Sequence, residues 1–422
     1  MYKLTVLKNG IKIITHNMPA AHGVTTGVFF GAGSRYEREK IAGASHFLEH
    51  MFFKGTKNRP EPSDIARSIE GVGGYLNAAT SQDHTFYYNR VPKAHGKMAF
   101  EVLADMMNNS LFNEKALDRE RGVILEELNM FLDTPMRYIY DLTMNLVFSG
   151  STLGRDIIGA KKSILKIKRQ DLIDYVKGFY QPQKMAIAIA GNINQHGAIR
   201  EAEKFFGHLK KNKQPIYKKV PSERQGPGIL IHNKKTDQAH LSLAVRALPY
   251  NHQELPTLTV LDTILGTGMS SRLFLNIREK LGLCYYINSS TEEFEDAGIF
   301  AINSGLNTDK IELAVARIWD ELKKISTVLI AKRELDEAKE YLRGSISLEV
   351  DNTDNMAMWY GIQGLFAKKI KTPAEKVAEL LKVSESDIMK LAKKLFKREQ
   401  LNLAVIGPFQ KRDKNRFLKL LK

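Results

Sequence analysis

The stretch IKRQDLIDYVKGFYQPQKMAIAIAG, residues 167–191, is matched without a gap by VSESDIMKLAKKLFKREQLNLAVIG, residues 383–407. Ile167 falls on Val383, Leu172 on Ile388, Phe179 on Leu395 and Ile187 on Leu403, an offset of 407 − 191 = 216. Each copy reads as an amphipathic helix followed by a buried strand that stops at a glycine. The same offset carries Val28-Phe29 onto Ala244-Val245 and His46 onto Asp262. The chain therefore reads as two copies of one unit, each near half its length.

Working outward, the N-terminal MYKLTVLKNGIKIITHNMP alternates apolar and polar residues about Asn9-Gly10, the pattern of a β-hairpin. A strand is expected at Val24–Phe30, and a second hairpin joins Tyr75–Thr80 to Thr85–Val91 around Ser81-Gln82-Asp83. Helices are expected from the His46 region to Gly55, from Ser63 to Val72, and over Lys93–Asn108 and Asn113–Leu132. The fold class is α+β: two homologous α/β domains, each an antiparallel-rich sheet covered by helices. Residues 1–211 form the first, 229–422 the second, and 212–228, rich in Lys, Pro, Gln and Gly, the linker.

A chain of 422 residues is too long for one ordinary core. With 43% hydrophobic and 26% charged residues it has the composition of a soluble globular protein. Cys284 is the single cysteine and excludes an intrachain disulfide. No apolar run approaches the length that spans a bilayer, and the N-terminal hairpin lacks the continuous apolar core of a signal peptide. A cytoplasmic protein without a membrane partner is expected. The net charge of +16 comes from scattered lysines, such as Lys210-Lys211, Lys218-Lys219 and Lys393-Lys394, without aromatic interleaving. Nucleic acid is therefore not an expected partner. The glycine-rich Gly71–Gly74 and Gly266–Gly268 do not sit between a strand and a helix, so no dinucleotide cofactor is expected.

The first copy carries IAGASHFLEHMFFKGT, Ile41–Thr56. His46, Glu49 and His50 stand at i, i+3 and i+4, on one helix face. Two imidazoles four apart can hold one metal ion, and a carboxylate beside them can activate a water. Phe47, Leu48, Met51, Phe52 and Phe53 make the helix apolar all round, hence buried. In a chain with 11 His and 47 acidic residues, chance gives about 0.03 matches to His-x-x-acid-His. A pair of hydrogen-bonded core histidines is the plainer alternative. The second copy has Asp262, Leu265 and Gly266 at these positions, so only the first half can hold the metal.

A catalytic zinc takes three protein ligands and leaves one position open. On a helical wheel of Arg119–Asp133 with Glu127 at zero, Val123, Ile124, Met130 and Phe131 fall within about 60° and Glu120 at about 20°. Both glutamates are thus expected inside an apolar arc facing the core, where an unpaired carboxylate is costly. Glu126 falls on the polar side. Glu127 is the expected third ligand, and Glu120 a carboxylate that orients a ligand.

His-x-x-Glu-His followed by a glutamate 127 − 50 = 77 residues later is the inverted zincin pattern. Together with GAGSRYE, GGYLNAATSQDHTFYY and ERGVILEELNM, the chain resembles the pitrilysin family of zinc metallopeptidases. The resemblance is closest to its shorter branch, the mitochondrial processing peptidase β-subunit and its bacterial homologues. It implies a Zn2+-dependent endopeptidase acting on extended or unfolded peptides, with His46, His50 and Glu127 as ligands and Glu49 as general base. It also implies that Arg278 and Tyr285 hold the substrate carbonyl and oxyanion. Read alone, these two are a cation near a helix C-terminus and a strand aromatic, and Arg272 looks equally suitable. Asn77–Thr80 reads as a half-polar edge strand on which an extended peptide can add. The resemblance gives that task to Asn77 and Ala78. His84 reads as a satisfied strand histidine. The family's clamshell of four such units implies that this chain is one half, completed as a homodimer. A heterodimer with a paralogous chain is less economical, since nothing here is missing. A structural or assembly subunit that has kept the fold is the competing expectation.

Overall fold

The computed structural model describes residues 2–212, 216–221 and 227–421. The first sheet is built from β1 (Tyr2–Val6), β2 (Lys12–Asn17), β3 (Gly23–Phe30), β4 (Tyr75–Thr80), β5 (Thr85–Pro92) and β6 (Met185–Gly191), in the order β1-β2-β6-β3-β5-β4. The second holds β7 (Gly228–Asn233), β8 (Gln238–Ala247), β9 (Cys284–Glu293), β10 (Gly298–Asn307) and β11 (Asn402–Gly407), in the order β7-β11-β8-β10-β9. Apart from β1 the two topologies are the same. One parallel pair, β2 with β6 or β7 with β11, adjoins an otherwise antiparallel sheet. The offset of 216 carries β2 onto β7 residue for residue, and the helix Arg169–Phe179 onto Glu385–Leu395. The N-terminal hairpin pairs Tyr2 with His16, and Gly10 adopts the positive φ of +92° that the turn requires.

The linker region is outside the described residues at 213–215 and 222–226. Residues 216–221 carry no helix or strand, and Tyr217 lies under the Arg35 guanidinium, 3.7 Å from ring centre to Cζ. The helix of His46 ends at Met51, four residues short of Gly55, and the next one starts at Pro62 behind Glu61, whose amide the Asp64 carboxylate accepts.

The compact units do not follow a single cut through the linker. One comprises Met1–Asn129, Arg155–Lys218 and Ser347–Thr372; the other comprises Met130–Gly154, Lys219–Ile346 and Pro373–Lys422. Each has taken one helix from the other half of the sequence, and the two helices occupy equivalent places in the repeat. Thr353–Phe366 covers β2, β3 and β6 in the first unit, placing Met356, Ala357 and Tyr360 on Ile14, Phe29 and the alanines of β6. Gly361 and Gly364 allow the approach: a Cβ on Gly361 would meet the Phe29 ring at 2.2 Å. Pro135–Val147 covers β7, β8 and β11 in the second unit, with Ile139 and Leu142 on Ala404 and Ile406. Hydrophobic periodicity says which face of a helix is apolar, not which sheet it will cover. Among the described residues no helix is long and apolar enough to cross a membrane.

Candidate metal centre

The site is built from two helices and one strand of the first unit. The short helix Ala44–Met51 starts after Gly43, whose φ of +97° and lack of a Cβ let it pass the Ile158 carbonyl. Its free N-terminal amides are met by one buried carboxylate. Glu37 Oε2 accepts from Gly43 N at 2.7 Å, and Oε1 accepts from Ser45 N at 2.7 Å and from Ser45 Oγ at 2.5 Å. A carboxylate there complements the helix dipole. Burial nevertheless pushes the Glu37 carboxyl up to about 7, against the pull of the Ser45 and Gly43 hydrogen bonds and of Arg155. Phe47, Leu48 and Met51 are wholly buried and anchor the helix, which turns His46, Glu49 and His50 to one side.

The second helix, Glu114–Asp133, buries Ala116, Leu117, Glu120 and Ile124. Val123 and Met130, placed by the wheel in the core-facing arc, are each 50% exposed. The wheel gave the direction of the arc correctly, but the arc is only half covered at these two residues. Glu127 Oε2 lies 3.6 Å from His46 Nε2 and 3.4 Å from His50 Nε2. One donor atom from each of the three residues falls within 4.8 Å of the others. Zinc–nitrogen and zinc–oxygen bonds of about 2.0–2.2 Å put tetrahedral ligands about 3.4 Å apart. The nitrogen–nitrogen–oxygen set therefore fits a zinc ion in both spacing and donor type.

Around this group, Glu120 Oε2 lies 3.1 Å from His50 Nδ1, and Glu120 Oε1 lies 2.7 Å from Lys54 Nζ. The ring of His50 is thus oriented from behind, as ligating imidazoles usually are. His46 differs: its Nδ1 is buried without a hydrogen-bond partner among the described residues. Burial lowers the pKa of His46, outweighing the attraction of Glu127, so its imidazole stays neutral and able to ligate. For His50, burial is outweighed by hydrogen bonds to Glu127 and Glu120, and its pKa is raised. Glu127 is lowered by the His50 hydrogen bond in spite of burial. Glu49 is raised by burial, and Thr80 Oγ donates to its Oε2 at 2.6 Å.

Thr80 ends β4, the edge strand of the first sheet, which also carries Asn77 and Ala78. His84 stands apart from the metal group, 2.8 Å from Asp83 Oδ1 and stacked on Phe86. Arg278 and Tyr285 belong to the second unit. Arg278 lies in a single π-helical turn, Phe274–Glu279, a form often found at functional sites. Its Nε donates to the Tyr285 carbonyl at 2.8 Å, and its guanidinium lies 4.4 Å from the Phe274 ring centre. The Tyr285 side chain is 73% exposed. Arg272, indistinguishable from Arg278 in sequence, is held by both oxygens of Glu334 at 2.6 and 2.7 Å. Sequence reasoning missed Glu37 and Lys54 as neighbours of the site, and placed Thr80 on the docking edge without its bond to Glu49. Lys54 had a signal, four residues after His50. The other two contacts are made across loops and strands, which spacing does not register.

Comparison with known proteins adds a family to this geometry. The domain described as insulinase (peptidase family M16) matches residues 12–161, and the one described as peptidase M16 inactive domain matches residues 166–342. An uncharacterized zinc protease of Bacillus subtilis, YmxG, is 35% identical over 408 residues, 97% of this chain and 98% of that protein. One from Rickettsia bellii is 32% identical over 96% of this chain and 98% of its own length. The crystal structure of a protease from Helicobacter pylori superposes with a TM-score of 0.87 at 22% identity, covering 97% of this chain and 99% of that one.

Proposed function

The chain belongs to peptidase family M16, and from that membership we propose that it is a zinc-dependent endopeptidase hydrolysing extended or unfolded peptides. The observation that carries the reading is the convergence of His46, His50 and Glu127 within 4.8 Å beside the buried Glu49. A bound zinc ion supplies the Lewis acid that polarises the scissile carbonyl and acidifies a water. His46, in its neutral form, His50 and Glu127 hold that ion. Glu120, backed by Lys54, fixes the His50 ring. Glu49 takes the proton of the attacking water and passes it to the leaving amine. Its raised pKa suits a group that must both accept and return a proton. The open edge of β4, with Asn77 and Ala78, lays the peptide out as an added strand. Arg278 and Tyr285 hold the substrate backbone and assist the oxyanion. In a homodimer the pair of one chain serves the metal group of the other inside a closed chamber.

A non-catalytic assembly subunit is the second reading, favoured by the description of the domain over residues 166–342 as inactive. That description falls on the part of the chain where Asp262, Leu265 and Gly266 replace His46, Glu49 and His50. The first unit keeps His46, His50, Glu127 and Glu49 together. The test combines zinc analysis with a quenched-peptide assay on wild type and Glu49→Gln. Wild type is expected to carry one zinc per chain and to cleave. Glu49→Gln keeps the zinc and loses on the order of 10²–10⁴-fold in kcat. Zinc-loaded wild type no faster than Glu49→Gln refutes the peptidase, and full activity in a monomer by light scattering refutes the dimeric chamber.

A further inference from the structure

The carboxylate read as the general base is held by the strand read as the substrate's docking edge. Among the described residues β4 pairs on one side only, with β5. Ser81 N donates to His84 O in the same register that sets Thr80 opposite Thr85 and Ala78 opposite Tyr87. Antiparallel ladders alternate between pairs that exchange hydrogen bonds and pairs that do not. Counting back from Ser81, Thr80, Ala78 and Leu76 occupy the non-exchanging positions, so their N–H and C=O groups face the open edge. One contact agrees with this parity: Ala78 N, on the open edge, donates to the neighbouring Asn77 Oδ1 at 2.8 Å. A peptide that adds to β4 pairs with Leu76 and Ala78, displacing Asn77 Oδ1. At the next open position, Thr80, the side-chain hydroxyl already holds Glu49. The base therefore stands where the added strand runs off the edge.

We infer that Thr80 is the positioning residue for Glu49, tying its carboxylate through the hydroxyl to the last rung of the substrate-binding edge. The role of Glu49 as base rests on the peptidase reading above; the tether rests on the contact alone. An untethered glutamate samples several rotamers, and a base must sit within hydrogen-bond reach of the proton it removes. Peptide docking and base orientation then depend on one strand, so a shift of β4 moves both together.

Thr80→Val deletes the hydroxyl while keeping the β-branched shape, and Thr80→Ser restores it. Full-length zinc-loaded protein and an extended quenched peptide provide the assay. Thr80→Val is expected to lower kcat about tenfold or more, with KM within about twofold, and Thr80→Ser to stay within about threefold of wild type. Zinc stoichiometry remains one per chain in all three. Crystal structures of the zinc-loaded variants give a readout independent of turnover: Glu49 spreads over several rotamers in Thr80→Val and keeps one in Thr80→Ser. Wild-type kcat in Thr80→Val, a Thr80→Ser as slow as Thr80→Val, or an unmoved Glu49 in Thr80→Val overturns the inference. An inert wild type in which Thr80→Val still releases Glu49 overturns the peptidase reading and leaves the tether standing.

Discussion

The two repeats differ most where their scaffolds agree best. The helix Ala44–Met51 of the first unit and Leu255–Gly266 of the second are equivalent, yet His46, Glu49 and His50 are answered by Asp262, Leu265 and Gly266. Glu127 is answered by Arg343, an exposed side chain paired with Glu340 at 2.7 and 2.9 Å. The space for a metal is gone as well as the ligands. Asp262 accepts from Ser289 Oγ at 2.5 Å, and a Cβ on Gly266 would lie 2.2 Å from the Ser289 amide nitrogen. In the second unit β9 packs tightly on the helix at Gly266, the position that corresponds to His50. The scaffold therefore folds without a metal, and the chemistry resides in a few side chains added to one copy.

That comparison can be broken most forcefully from the first unit. His50→Ala removes a ligand that the second unit also lacks. Metal analysis should find zinc reduced to a small fraction of one per chain. Peptide hydrolysis should fall by about 10³-fold or more, since several kcal/mol of transition-state stabilisation depend on the ion. An active, zinc-loaded His50→Ala would remove the basis for assigning chemistry to the first copy. The reverse exchange, Gly266→His, should fail to create a site. The side chain has no room beside Ser289. The expected result is an unchanged zinc content and a loss of about 1–3 kcal/mol in chemical denaturation. A second zinc per chain in Gly266→His would show that ligands alone, not space, separate the copies.

The duplication was legible because paired helices and strands repeat their apolar spacing at a fixed offset, and β2 and β7 coincide under it. The metal group was legible because His46, Glu49 and His50 share one helical face and Glu127 follows the wheel of a second helix. What escaped is non-local. Pro135–Val147 and Thr353–Phe366 exchange units, and no periodicity encodes which sheet receives an apolar face. Val123 and Met130 were assigned to the core by angle alone, and angle does not reveal that they are only half covered. Arg272 and Arg278 separate only once Glu334 is seen to bind the first and the Tyr285 carbonyl the second. Glu37, just before the Ile41–Thr56 stretch, caps the helix of the ligands through contacts a linear pattern does not predict.

The smallest expected effect concerns what replaced His46. Asp262 is pushed up from 3.8 to about 6, chiefly by burial, with Ser289 opposing and Glu293 adding repulsion. A carboxyl whose folded pKa lies above its unfolded one binds its proton more tightly in the folded state. Its contribution to stability is complete below about pH 3.8 and is lost as the pH rises through about 6. Asp262→Asn mimics the protonated form at every pH and keeps an oxygen for Ser289. Wild type and variant should therefore denature alike near pH 4, with the variant gaining roughly 2 kcal/mol by pH 8. His46, its counterpart, is held neutral by the same burial, but for an imidazole that is the form a metal requires. Burial thus costs the second copy stability at neutral pH while it prepares the first copy for an ion. If the stability difference between Asp262→Asn and wild type is flat from pH 4 to 8, Asp262 is ionised throughout and the symmetry between the two buried positions does not hold.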